Sequence, residues 1–121
     1  MQDPRDAANP ATAPAQQPSS APAIARAQVT GVVLAGGRGT RMGGLDKGLQ
    51  LYGGEPLARH CLRRLQAQVG PTLVNANRNL AQYQSFGTAV VTDTVPDFAG
   101  PLAGFITALE NCATPYLMTV P

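Results

Sequence analysis

The chain has 121 residues, with 9 Lys and Arg against 7 Asp and Glu and a net charge of +2. That length suits one small domain and not two. No apolar run approaches the ~20 residues that span a bilayer, and Cys61 and Cys112 lack the close Cys and His spacing of a zinc site. A soluble, cytoplasmic protein without a membrane partner is expected, its two cysteines buried thiols in a reducing compartment.

Residues 1–27 are rich in Ala, Pro, Gln and Ser and show no apolar periodicity. Such a stretch buries too little apolar surface to offset the entropy of ordering it, so a disordered leader is expected. Recurrent prolines (Pro4, Pro10, Pro14, Pro18, Pro22) and the early Asp3 and Asp6 do not fit a secretory signal. The foldable part is residues 28–121.

Val29 to Leu34 is a short β-branched apolar run, the pattern of a buried parallel strand. A glycine-rich loop is expected from Ala35 to Gly54. Pro56 suits the first position of a helix. Leu57, Cys61, Leu65 and Val69 then recur every fourth residue as one apolar stripe, and Gly70-Pro71 ends the helix. His60 and Cys61, as helix neighbours about 100° apart, do not face each other as a catalytic pair, and His60 is read as structural. Thr72 to Ala76 predicts a second strand, Asn79 to Ser85 a short helix at best, and Thr88 to Thr92 a third strand. Leu102 to Asn111 predicts a helix with Leu102, Phe105, Ile106 and Leu109 on one face. Tyr116 to Val120 is the fourth strand.

Strands alternating with helices indicate an α/β fold, three-layered and Rossmann-like, with a mainly parallel sheet. Ligands of such sheets bind beyond the carboxyl ends of the strands. The sequence stops at Pro121, on the ligand side of the fourth strand, so a truncated piece of a longer domain is expected.

The chemistry concentrates in Leu34-Ala35-Gly36-Gly37-Arg38-Gly39-Thr40-Arg41-Met42-Gly43-Gly44-Leu45-Asp46-Lys47. Glycines let a backbone turn sharply and approach a ligand, and consecutive N–H groups form an anion-binding concavity. Arg41 and Lys47 add fixed positive charge suited to a triphosphate and to the charge that develops in phosphoryl transfer. Two familiar phosphate loops do not fit. The dinucleotide fingerprint requires glycine where Met42 stands, and the P-loop requires glycine before its lysine where Asp46 stands. The basic residues from Arg38 to Arg64 carry few interleaved aromatics, which argues against a base-stacking nucleic-acid platform. Arg59, Arg63 and Arg64 read as a solvated helix face.

Leu-Ala-Gly-Gly-x-Gly-x-Arg-Met followed shortly by Lys resembles the nucleotidyltransferase signature. Arg41 to Leu49, Pro56-Leu57 with His60, Val74 to Arg78, and Gly100 to Gly104 are similar to the molybdenum cofactor guanylyltransferase family, over roughly Thr30 to Pro121. The resemblance implies attack by a terminal phosphate of molybdopterin on the α-phosphorus of Mg²⁺-bound GTP. Pyrophosphate leaves and a guanine dinucleotide cofactor forms, for delivery to molybdoenzyme partners. It also implies that Leu34, Ala35, Gly36 and Gly37 lie against GTP, that Arg41 and Lys47 serve catalysis, that Lys47 contacts phosphates, and that Asn75 and Asp93 bind nucleotide. The family's metal-binding aspartate falls beyond Pro121, so no metal ligand is assigned. The alternatives are a cytidylyltransferase or sugar-phosphate nucleotidyltransferase, and a non-catalytic nucleotide-binding or partner-docking fragment.

Overall fold

The computed structural model describes residues 23–36, 44–94 and 102–121. Most of the expected leader, Gly37 to Gly43 with Arg41, and residues 95–101 lie outside this description.

β1 (Val29–Leu34) is followed by a 3-10 turn at Lys47–Leu49 and by two short strands, β2 (Leu51–Tyr52) and β3 (Glu55–Pro56). Then come α1 (Leu57–Gln66), β4 (Thr72–Asn75), α2 (Leu80–Gln84), β5 (Ala89–Val91), α3 (Leu102–Glu110) and β6 (Tyr116–Val120). Four strands form one sheet in the order β5-β4-β1-β6. All its pairings are parallel, with Val33 opposite both Val74 and Val120.

Alternation along β1 places its two faces against different helices. On one face, a Cβ at Gly31 would come within 2.8 Å of the Leu65 and Val69 side chains. Val33 joins Ala58, Leu62, Leu65, Val69, Val74 and Tyr83 in the main core cluster. On the other face, Leu34 lies beside Gly104 of α3. Sandwiching the sheet between helices gives the three-layer α/β architecture the alternating pattern predicts.

Several local expectations change. The 35–54 loop is not irregular throughout, because β2 and β3 pair antiparallel, Tyr52 opposite Glu55. The intervening Gly53 and Gly54 have φ of 60° and 81°, the left-handed backbone that a two-residue hairpin turn demands. Pro56 belongs to β3 and precedes the helix, which starts at Leu57 and ends at Gln66. Val69 lies beyond the helix yet is buried, so the stripe continues into the turn. The α3 face is the largest correction. Ala103, Gly104, Thr107 and Ala108 are buried, whereas Leu102 is 51% and Leu109 62% exposed. Small residues let α3 approach the sheet closely, while Leu102 and Leu109 face outward and Phe105 and Ile106 are half-buried. Both cysteines are free and only half-buried, because Cys61 borders an open cleft and Cys112 sits in the turn after α3. No helix among the described residues is long and apolar enough to cross a membrane.

Candidate functional site

β4 and β5 lie to one side of β1 and β6 to the other. The strand order therefore reverses between β1 and β6, the place where open parallel sheets bind ligands beyond their strand ends. A cleft of about 410 Å³ opens there, bordered by Leu34, Ala35, Lys47, Gly48, Cys61 and Pro121. Its walls are mostly apolar, with an exposed lysine on the rim. Apolar walls with few polar groups suit a small-molecule site. Of the sequence-predicted residues, Leu34, Ala35 and Lys47 border the cleft together, while Gly37 and Arg41 fall outside the described residues.

Ala35 and Gly36 are fixed by the neighbouring strand end. The Ala35 N–H donates to the Asn75 carbonyl at 2.7 Å, and the Gly36 carbonyl accepts from the Asn77 side-chain amide at 3.1 Å. Gly36 also makes room. A Cβ there would lie 2.8 Å from both the Asn75 and Asn77 amides.

Asn75 and Asp93 meet, but each is engaged. Asn75 is 1% exposed, and its amide donates to Asp93 Oδ1 at 2.8 Å. The same oxygen accepts from the Thr107 hydroxyl at 3.3 Å. Asp93 Oδ2 accepts from Asn77 at 2.8 Å, and the Asp93 N–H donates to Asn77 Oδ1 at 2.8 Å. Asn75 is thus a buried support, whereas the half-buried Asp93 is the member of the pair nearer solvent.

Lys47 opens the 3-10 turn that Asp46 caps: Asp46 Oδ1 accepts from the Gly48 N–H at 3.1 Å. That oxygen also accepts from the Tyr83 hydroxyl at 2.6 Å, and Oδ2 accepts from the Asn79 amide at 3.1 Å. Burial, and then the adjacent Asp46 carboxylate, raise the Tyr83 pKa well above that of an ordinary tyrosine.

Sequence reasoning missed Asp46, Asn77, Asn79, Tyr83 and Thr107. Two carried a readable signal: Asp46 stands two residues before Gly48, as an Asx turn requires. Asn77 shares the period-two alternation of Asn75 along a strand end. Tyr83 and Thr107 reach their partners only through tertiary packing and carried none.

No group of three or more His, Cys, Asp or Glu among the described residues forms a metal site. Asp46 and Asp93, the carboxylates of these two networks, spend both oxygens on hydrogen bonds. Mg²⁺ takes carboxylate and phosphate oxygens together, so the described residues do not themselves fit a magnesium cage.

Residues 31–121 match the family described as the MobA-like NTP transferase domain. Molybdenum cofactor guanylyltransferases from Ralstonia nicotianae and Methylibium petroleiphilum are 63% and 65% identical over 98 residues, which is 81% of this chain and 48% of each relative. That from Cupriavidus necator is 63% identical over 81% of this chain and 49% of the relative. The chain therefore spans about half the length of these relatives. The crystal structure of Rv0371c from Mycobacterium tuberculosis H37Rv superposes with a TM-score of 0.57 at 27% identity, covering 78% of this chain and 52% of that one.

Proposed function

Because the chain belongs to the MobA-like NTP transferase domain family, we propose that it carries the nucleotide-binding half of a molybdenum cofactor guanylyltransferase. The observation that carries the proposal is the cleft at the β1–β6 strand-order reversal, with Ala35 on its wall and Lys47 on its rim. In this reading the backbone of Leu34 to Gly37 cradles the GTP phosphates and Lys47 supplies a point charge to their oxygens. Arg41 adds a second cation. Asp93 accepts from guanine N–H groups or from ribose, and Asn75 acts through Asp93 by holding its carboxylate. Molybdopterin provides the attacking terminal phosphate, GMP is transferred, and pyrophosphate leaves. Mg²⁺ arrives with the triphosphate as its counter-ion. No step is routed through the ion, since the described residues assemble no metal-binding group.

Calorimetry with GTP, CTP and ATP tests the proposal on this chain and on Lys47→Ala. GTP should bind in preference, and Lys47→Ala should weaken it about tenfold or more, as removal of a charged hydrogen bond costs ~1.5–3 kcal/mol. A preference for CTP would move the assignment to a cytidylyltransferase. Binding of no nucleotide would overturn the site.

A further inference from the structure

The segment from Arg78 to Tyr83 grips the loop that carries Lys47 at four points. The Arg78 guanidinium donates from Nη1 to the Gly44 carbonyl at 2.6 Å. Asn79 donates to Asp46 Oδ2, and the Tyr83 hydroxyl donates to Asp46 Oδ1, which also caps Gly48. The fourth point is steric: a Cβ on Gly48 would overlap the Tyr83 hydroxyl, so the turn sits directly against it. Tyr83 is itself fully buried, its ring edge-on to Phe86 with centroids 5.6 Å apart. Asn79 adopts a left-handed backbone, φ 55°, to present its amide before α2 begins. The backbone on both sides of Lys47 is therefore tied to a rigid core residue, while Lys47 itself projects from an exposed position.

A lysine has a long flexible stem, and holding its backbone in place reduces what must be ordered when it meets an anion. We infer that Tyr83, acting through Asp46, is a positioning residue that presents Lys47 to the phosphates of the bound nucleotide. The inference rests on the nucleotide-binding reading above. Tyr83 touches no ligand in this account. Its hydroxyl fixes one carboxylate oxygen, and that oxygen fixes the turn.

Tyr83→Phe removes the hydroxyl and keeps the ring. Calorimetry with GTP, and with guanosine as the phosphate-free probe, separates phosphate-dependent binding from a general loss of structure. Tyr83→Phe should weaken GTP fivefold or more and leave guanosine within twofold. Added to Lys47→Ala, it should cause little further loss, because both changes remove one contact. Should Tyr83→Phe fail to fold, Asn79→Gly keeps the left-handed backbone, removes the second grip on Asp46, and should give the same pattern. GTP affinity within twofold of the parent, equal losses for GTP and guanosine, or losses additive with Lys47→Ala would each overturn the inference while the nucleotide site stands. A parent chain that binds no nucleotide overturns the site itself and takes the inference with it.

Discussion

Gly104→Ala sets two physical effects of opposite sign against each other. Gly104 lies inside α3, where replacing glycine by alanine ordinarily stabilises a helix by about 0.8–1 kcal/mol. Here the added Cβ would stand 2.7 Å from Asn75 Oδ1 and 3.1 Å from Leu34 Cδ2. The Asn75 amide cannot swing clear at low cost. It is 1% exposed, and its amide also donates to the Val91 carbonyl at 3.4 Å. Its N–H group is also bound to the Asp93 carboxylate at 2.8 Å. Loss of a hydrogen bond to a charged group costs ~1.5–3 kcal/mol, and overpacking a dense site ~1–3 kcal/mol. Allowing for overlap between those costs and subtracting the helix gain leaves a net destabilisation of about 1–3 kcal/mol. Urea unfolding of the two proteins measures this as a fall in midpoint at unchanged slope. Thermal unfolding should show a drop of roughly 4–8 °C per kcal/mol for a domain of this size. A variant more stable than the parent by the helix-propensity amount would refute the close packing of Gly104 on Asn75.

Two further expectations concern the opposite face of the sheet. Leu65→Ala should cost about 2–5 kcal/mol by urea unfolding, since Leu65 is 3% exposed in the main cluster. Combined with Gly31→Ala it should cost less than the two single changes together, because the new methyl enters the space beside Gly31 that Leu65 occupies. The Tyr83 pKa is raised on folding, chiefly by burial and then by Asp46. The stability this represents is full below the unfolded tyrosine value near pH 10 and is lost as pH rises toward the folded value. The stability of the parent relative to Tyr83→Phe should therefore fall by roughly 1 kcal/mol between pH 9 and pH 11. A constant difference over that range would show that Tyr83 ionises alike in both states.

β1 was legible in the sequence because a strand buried on both faces reads as an unbroken apolar run, and the edge strands β5 and β6 because they too are short apolar runs between turn residues. Val29 to Leu34 was predicted with the observed ends and β4, β5 and β6 within a residue, whereas the short β2 and β3 were missed. The apolar stripe of α1 was legible in part: Leu65 and Val69 are buried against Gly31, but Leu57 and Cys61 are half-buried at the cleft and Ala58 and Leu62 take the core positions. In α3 the same logic misled. Periodicity marks the largest apolar side chains, but α3 packs through Ala103, Gly104, Thr107 and Ala108, and closeness of approach decided its face. Hydrophobicity does not encode closeness. A glycine within an otherwise good helix is costly, and at Gly104 the close approach of Asn75 and Leu34 is what requires it.

The candidate site was legible as a list and not as an arrangement. Leu34, Ala35 and Lys47 surround one cleft because Lys47 returns to the end of β1 through a turn. Asp46 holds that turn with groups contributed from beyond β4. Asn77 does the same for the other wall: its side-chain amide ties the Gly36 carbonyl, 41 residues away in sequence, to the carboxylate and backbone N–H of Asp93, 16 residues away. Residues 75–83 thus anchor Gly36 and Asp93 through the two asparagines, and the Lys47 turn through Arg78, Asn79 and Tyr83. Gly36 and the Lys47 turn are held by the polar segment at the end of β4, whose strand is pinned between β1 and β5 by parallel pairing on both sides. Asn75-Ala76-Asn77-Arg78-Asn79, marked in the sequence only by its family resemblance, therefore serves the site by holding Gly36, Asp93 and the Lys47 turn in place.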